Sequence, residues 1–548
     1  MLVLCLEVRI YALRFAYLGP SNSHANAFNM KKLVLLTLAG GLACSAPAAA
    51  QATEKIDGAA LAKIRDEGMN RSKVMETAFY LTDVSGPRLA NSDGLKRANE
   101  WTKSQLTKYG LANANIEAWG DFGRGWDVDK SYVAMTAPYY HSMIGFPKAW
   151  TPSTPGTLRL PVVVVKATTE AELDKYKGQL RDKIVVMNVT TLPKANLESD
   201  TKRYSDDELK QMADPAAPRT GSNMPDPAAL ATRKALAELR TKTTEMLMSE
   251  GAAAVLSARG GTYGTFNTTN GAPYAADAKP VLPEIEMSPE DQLRLIRLVE
   301  AGVPVQVEME TKTRFQTQDL KGYNVVAEIP GTDRKLKSEV VMLGGHLDSW
   351  HSATGATDNA AGCAVMMEAV RILKTTGLRP RRTIRIALWG EEEQGLHGSR
   401  NYVKNHFGDP ATMKLLPDHE KLAAYFNLDN GGGKIRGIYA QGNEAAAPIF
   451  AEWLKPFADL GATTVTLRNT GSTDHIAFDA VGLPGFQFIQ DGLDYFSRTH
   501  HTNQDTYDRL IADDLKQASV VVASFVYDAA MRDQKLPRKP LPVPAKPQ

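Results

Sequence analysis

The chain has little cysteine and no excess of charge of either sign. Its 548 residues include three cysteines, and 64 basic residues stand against 62 acidic ones, for a formal net charge of +2. So few cysteines exclude a fold held together by many disulfides. The balanced charge provides no overall attraction to nucleic acid or anionic lipid, so we expect no nucleic-acid partner. At roughly 100–200 residues per domain, the length predicts two to four domains.

The first fifty residues have the composition of an export signal. Met30 is followed by two lysines, an apolar run from Leu33 to Leu42 and the small-residue stretch Ala46–Ala50. This order is typical of a secretory signal peptide, and the apolar run is too short to span a bilayer. We predict a non-native extension over 1–29, a signal peptide over 30–50, and a periplasmic or secreted protein with no transmembrane segment in its mature form. The alternative is a genuine N-terminal extension.

Only Cys363 would remain after cleavage, which excludes an internal disulfide. It falls on a predicted helix, where a cysteine usually behaves as a small buried hydrophobe. The alternative, a nucleophilic cysteine, lacks the sharp turn motif that normally presents a nucleophile.

The remaining sequence predicts a split α/β unit with a second α/β unit inserted into it. We expect the first part at 53–150, the insert at 155–312, the second part at 313–535 and a proline-rich tail at 536–548. Short β-branched runs at 162–165 and 183–187 open the insert, and a helix is expected at 228–249.

Apolar strands alternate with amphipathic helices through the second part. Strands are expected at 339–343, 383–388, 423–428, 435–439, 464–467 and 485–489, and helices at about 359–375, 395–406, 443–457 and 511–531. This alternation predicts a mixed, mostly parallel sheet flanked by helices.

Side chains that bind metals or transfer protons stand in the segments that follow these strands. They are His346 and Asp348, Asp358, Glu391 to Glu393, Asp429, Asp474 and His475, and His500 and His501. Loops at the carboxyl ends of parallel strands meet at one edge of a sheet. Two imidazoles and three carboxylates suit a pair of zinc-type ions, because one carboxylate can bridge the two.

The stretches that carry these residues resemble peptidase family M28. The matching motifs are His346-x-Asp348, Asp358-Asn359-Ala360-Ala361-Gly362, Trp389-x-x-Glu392-Glu393-Gln394-Gly395, Asn427-Leu428-Asp429 and His501-Thr502-x-x-Asp505-Thr506. Within the family, the stretches 345–350, 378–383 and 500–501 are most similar to the carboxypeptidase Q group. The insert resembles a protease-associated domain in its stretches 179–186 and 249–255. The alternative for the insert is an ordinary α/β subdomain.

The resemblance implies two Zn²⁺ ions per chain and a role for each motif residue. His346 and Asp429 would bind one ion, Glu393 and His501 the other, Asp358 would bridge them, and Glu392 would be the general base. Because the family places base and ligand just before x-Gly, counting back from Gly395 leaves Glu391 as an outer or structural residue. A register shifted by one residue is the alternative.

Four more residues are expected around this set. Asp348 would accept a hydrogen bond from the free nitrogen of His346, and His500 would stabilise an oxyanion. Asp474 and His475 would line or brace the pocket. The alternatives are a simple loop carboxylate for Asp348 and packing roles for the other three.

The resemblance thus implies an exported zinc-dependent exopeptidase of aminopeptidase or dipeptidase type, acting on a peptide or dipeptide. Two alternatives stay open for the activity: an endopeptidase or another amide hydrolase on the same site, and a receptor-like relative without catalysis. A homodimer is also left open by the sequence.

Overall fold

The computed structural model describes residues 54–189, 192–194, 196–216 and 227–543. The predicted extension and signal peptide at 1–50, and the end of the predicted tail at 544–548, lie outside the described residues. In the part of the chain that the model describes, no helix combines the length and the apolar character needed to cross a membrane.

Eight strands form the first sheet, and the four at its centre are parallel. The spatial order is Ala112–Asp121, Lys321–Ile329, Thr383–Trp389, Val340–His346, Leu422–Asn427, Gly485–Gln490, Ile435–Tyr439 and Thr464–Thr466. Four of the seven neighbouring pairs are parallel and three are antiparallel. The predicted mixed, mostly parallel sheet is confirmed, and all six predicted strands lie within a few residues of their expected positions.

Helices cover this sheet. They are Gly58–Asn70, Val74–Phe79, Asp93–Lys108, Ala361–Thr375, His397–His406, Ala447–Leu454, His475–Asp479 and Ala512–Met531. The helix Ala361–Thr375 is buried from Ala361 to Leu373, because Ala512–Met531 and Gly58–Asn70 pack against it. Gly68 allows the helix Gly58–Asn70 to approach Ala512–Met531 closely, because a Cβ atom at this position would lie 2.4 Å from Val520 Cγ2.

Eight further strands form the second sheet. Their order is His141–Ser142, Gly125–Ala137, Gln306–Gln316, Leu158–Val165, Ile184–Met187, Ala254–Ser257, Glu284–Met287 and Gly145–Pro147. The helices Glu170–Leu173, Asp206–Ala213, Pro227–Ser249 and Pro289–Glu300 belong to the same part of the chain. Since Gly125–Ala137 pairs along most of its length with Gln306–Gln316, the second sheet includes residues before the expected insert boundary at 155 and beyond that at 312.

The remaining short elements connect these layers. A two-stranded ribbon joins Gly408–Asp409 to Lys414–Leu415, and single turns of helix lie at Tyr80–Val84, Asp174–Tyr176, Ala356–Ala360, Pro417–Lys421, Lys455–Leu460, Tyr495–Thr499 and Tyr507–Arg509. Cys363 is buried and free, as expected of a core residue.

Candidate metal centre

The side chains predicted to bind metal stand where the central strands end. His346 is the last residue of Val340–His346, the three glutamates follow Thr383–Trp389, and Asp429 follows Leu422–Asn427. Because these strands are parallel, their carboxyl ends lie at one edge of the sheet. Asp358 precedes the helix Ala361–Thr375, and His501 lies in the long loop after Gly485–Gln490.

The five predicted ligands form two groups that share Asp358. His346 Nε2 lies 3.2 Å from Asp429 Oδ1 and 3.3 Å from Asp358 Oδ1. His501 Nε2 lies 2.9 Å from Glu393 Oε2 and 3.3 Å from Asp358 Oδ2. Each oxygen of Asp358 therefore faces a different imidazole.

A glycine allows the Asp358 and Asp429 segments to come together. At Gly362 a Cβ atom would lie 2.3 Å from the carbonyl oxygen of Leu428, the residue before Asp429. The Asn359 amide donates a hydrogen bond to that same oxygen at 2.9 Å. The glycine in the Asp358 to Gly362 motif is thus required by a close backbone approach.

The donor set fits divalent metal ions. Ligand atoms about 2.1 Å from a tetrahedral ion lie roughly 3.4 Å from one another, close to the separations within each group. Among the described residues, neither Asp358 Oδ2 nor Glu393 Oε1 has a hydrogen-bond donor in bonding geometry, although both atoms are buried. Buried carboxylate oxygens of this kind fit a site in which a cation would be their partner.

The electrostatics of the site point the same way. Burial opposes protonation of His346, but Asp429 and Glu392 raise its pKa well above the usual value. For His501, Glu393 and Asp358 outweigh burial and raise the pKa to about 9. Burial, reinforced by Asp358, raises the pKa of Glu393 to about 7. The carboxylates thus crowd negative charge that two imidazoles only partly balance, which favours bound cations.

Glu392 lies beside the two groups and outside both. It is 8% exposed, and its Oε2 atom is 4.0 Å from His346 Nε2, farther than either carboxylate that faces this ring. Burial raises its pKa well above the usual value. Glu391 is directed elsewhere, because its Oε2 accepts a 3.0 Å hydrogen bond from the indole of Trp119. The register counted from Gly395, with Glu392 as base and Glu393 as ligand, stays a prediction.

Asp348 braces the site in a way that differs from the prediction. His346 Nδ1 lies 3.0 Å from the backbone carbonyl oxygen of Asp348 and 3.6 Å from its carboxylate, so the carbonyl is the closer acceptor. The carboxylate instead accepts the backbone N–H groups of Glu392 at 3.1 Å and Glu393 at 3.2 Å. The expected carboxylate–imidazole contact is therefore corrected to a carbonyl–imidazole one, because the carboxylate turns toward the glutamate loop.

The other three predicted residues occupy different surroundings. The His500 ring stacks on that of His501 with 3.8 Å between centroids, and a nitrogen of His500 lies within 4.8 Å of ligand atoms of Asp358 and His501. Asp474 is fully buried, and burial raises its pKa to about 7. His475 Nε2 contacts Gln441 and the carbonyl of Thr470, which ties two loops together.

Two further residues hold the site and were given no role from the sequence. The Asp505 carboxylate accepts the backbone N–H groups of Thr357 at 2.6 Å and Asp358 at 3.0 Å, which fixes the segment that carries Asp358. The buried Arg88 guanidinium donates to the carbonyls of Leu347 at 2.7 Å and Gly355 at 2.9 Å, on both sides of the loop between His346 and Asp358. Asp505 stands in the motif that begins at His501, but the partners of both residues come from distant parts of the sequence.

The fold and this cluster of ligands define a metallopeptidase. Residues 324–526 match the model of peptidase family M28. Carboxypeptidase Q from Mus musculus is 27% identical over 481 residues, which cover 86% of this chain and 88% of that protein. Aminopeptidase YwaD from Bacillus subtilis is 27% identical over 269 residues, 48% of this chain and 55% of that protein.

Solved structures share the fold. A peptidase M28 precursor from Shewanella amazonensis is 24% identical with a TM-score of 0.61, and the match covers 88% of this chain and 98% of that chain. A zinc aminopeptidase from Bacillus subtilis is 19% identical with a TM-score of 0.51, over 84% of this chain and 95% of that chain. At these identities the likeness shows the fold alone.

Proposed function

We propose that the protein is a zinc-dependent exopeptidase with two zinc ions per chain. His346 and Asp429 would hold one ion, Glu393 and His501 the other, and Asp358 both. The observation that carries this proposal is the Asp358 carboxylate, whose two oxygens each lie 3.3 Å from a different imidazole. A carboxylate shared in this way suits a pair of ions better than a single one.

Glu392 supplies the proton transfer in this proposal. Bound zinc would lower the pKa of a water molecule and polarise the scissile carbonyl. A base must stand beside the ligands without being one, and Glu392 has that position. Its carboxylate would accept the proton of the attacking water and return it to the leaving amine. Asp348 would keep Glu392 in place through the backbone N–H of Glu392.

The proposal that the enzyme cleaves at a free end of the peptide is supported by the relatives. Their names include a carboxypeptidase and an aminopeptidase, so the family comparison supports an exopeptidase but names both termini. We propose the aminopeptidase or dipeptidase type, with peptides or dipeptides as substrates. The filled ligand and base positions argue against a receptor-like relative, which would be expected to lack some of them.

Digestion of a peptide library, read by mass spectrometry with and without a chelator, tests this function. We expect single residues or dipeptides to be released from one terminus, and the chelator to abolish release. A parallel set with blocked termini is the control, and an exopeptidase leaves the set that is blocked at its preferred end intact. Internal cleavage would favour the endopeptidase, and hydrolysis of blocked substrates would favour another amide hydrolase. Metal analysis should find two zinc ions per chain.

Export is part of the proposal and rests on the sequence of 30–50. The N-terminal sequence of protein recovered from the periplasm or the medium should begin near residue 51. We also propose that the insert is a protease-associated domain, although the comparisons name no such domain.

A further inference from the structure

The loop that carries His501 has little structure of its own. Between the strand Gly485–Gln490 and the helix Ala512–Met531, it contains only the single turns Tyr495–Thr499 and Tyr507–Arg509. His501 has a φ of 56°, in the left-handed region that costs a residue other than glycine about 1 kcal/mol or more. Contacts from elsewhere must therefore impose the conformation of this metal ligand.

The insert supplies contacts on one side of His501. The backbone N–H of Thr268 donates to the His501 carbonyl at 2.7 Å, and Asn267 pairs with Thr502 as an isolated β-bridge. The Asn503 side chain extends this pairing, because its Oδ1 accepts from Phe266 N at 3.0 Å and its Nδ2 donates to Gly264 O at 3.2 Å.

A second segment of the insert contacts the other side of the loop. The Asp200 carboxylate accepts from Arg498 Nε at 2.7 Å, and the Asp200 carbonyl accepts from the hydroxyl of Ser497 at 2.9 Å. The backbone N–H of Lys202 donates to Leu493 O at 3.0 Å. Contacts from two separate insert segments thus bracket His500 and His501 along the loop.

We propose that the insert is a structural part of the metal centre, because it fixes the backbone of His501. The affinity of the Glu393–His501 position for zinc then depends on the contacts between the insert and the loop. Asn503 is the positioning residue in this account: it is no ligand, but its amide joins the loop to two backbone groups of the insert. This inference rests on the proposed two-zinc function.

The variant Asn503→Ala removes both side-chain hydrogen bonds and leaves every ligand in place. Loss of a group that orients a ligand typically weakens metal binding by roughly 10–100-fold. We expect one of the two zinc ions to bind at least about tenfold more weakly, as measured by competition with a chromogenic chelator. Activity at limiting zinc should fall and should return at saturating zinc, with KM unchanged.

Asn443→Ala is the matched control. The Asn443 amide also donates to a backbone carbonyl, that of Pro537 at 2.7 Å, and its oxygen accepts a backbone N–H, that of Ala446 at 3.2 Å. This variant should keep wild-type zinc affinity. Asn503→Asp retains the acceptor for Phe266 N and should restore part of the affinity that Asn503→Ala loses.

Wild-type affinity for both ions in Asn503→Ala would overturn the proposal, as would an equal loss in Asn443→Ala. If Asn503→Ala does not fold, Asp200→Ala replaces it, because it removes the acceptor of Arg498 at the other contact. Wild-type zinc affinity in Asp200→Ala would then contradict the inference. If the wild-type protein binds two zinc ions but cleaves no peptide, the proposed function alone is refuted. If it binds fewer than two zinc ions, the proposed function and this inference are both refuted.

Discussion

The substitution Glu392→Gln tests the assignment of the general base. Glutamine has nearly the same volume as glutamate, so the change leaves no cavity at this buried position, which is 8% exposed. The contact that holds the residue is made by its backbone N–H to Asp348, and the substitution does not remove it. The function lost is the capacity to accept a proton, and the negative charge of the carboxylate is lost with it.

The expected loss follows from that single missing function. A positioned general base contributes typically 10²–10⁴-fold to the rate. We therefore expect kcat to fall by about that factor, which corresponds to about 3–5 kcal/mol of activation free energy. Zinc content should stay at two per chain, because Glu392 belongs to neither ligand group. Steady-state hydrolysis of a dipeptide and metal analysis of the same preparation measure the two quantities.

Glu391→Gln is the matched control, since it changes the preceding glutamate in the same loop. Burial raises the pKa of Glu391 well above the usual value, and glutamine has nearly the same shape as its side chain. The glutamine oxygen can still accept from Trp119. We expect kcat to stay within about threefold of wild type. Wild-type turnover in Glu392→Gln would refute the assignment of Glu392 as the base. The assignment would also be refuted if Glu391→Gln lost turnover while Glu392→Gln lost zinc.

Three other substitutions have defined expectations. His351 is buried, which lowers its pKa from 6.5 to about 4; the unfolded chain therefore binds more protons between these values, and stability rises with pH across this window. His351→Gln should remove roughly 3 kcal/mol of that dependence in urea unfolding of metal-free protein, and an unchanged pH profile would contradict this. Arg371 lies 2.7 Å from the buried carboxylates of Glu67 and Glu368. Arg371→Met should therefore lower the free energy of unfolding by about 3–5 kcal/mol. A decrease of less than about 1 kcal/mol would contradict a stabilising role for these ion pairs. Asp348→Asn retains only one acceptor oxygen for the backbone N–H groups of Glu392 and Glu393, so kcat/KM should fall about tenfold or more. Wild-type kinetics would show that these two hydrogen bonds are not needed for activity.

The sheet of the catalytic part could be predicted where its strands are central. Strands buried on both faces, such as Val340–His346, form continuous apolar runs that stand out in a sequence. The two antiparallel strands beside them, Ala112–Asp121 and Lys321–Ile329, were missed. The edge strand Ala112–Asp121 is mostly exposed or half-buried and mixes polar with apolar residues. Its pairing depends on a partner about two hundred residues away in the chain.

The candidate ligands could be named from the sequence because the local motifs contain them. Parallel strands place their carboxyl ends at one edge, so residues such as His346 and Asp429 are brought together by topology. The count back from Gly395 also separates Glu392 from its neighbours as the candidate base, and Glu391 is directed toward Trp119.

The supporting contacts depended on the tertiary structure. The Asp348 carboxylate turns toward the glutamate loop, Asp505 holds the Asp358 segment, and Arg88 spans the loop after His346. None of these partners is a sequence neighbour, and side-chain direction at a strand end is decided by packing.

The sequence by itself therefore determined the chemistry of this protein: which carboxylates and imidazoles are present, and in what order strands deliver them. The tertiary structure decided the geometry that makes them a site. Asp358 faces two imidazoles in a structure where Gly362, Asp505 and Thr268 make the contacts that join three distant segments. The physical reason is that residue types and periodicity are local properties, whereas the position of a loop such as that of His501 is set by hydrogen bonds to parts of the chain more than two hundred residues away.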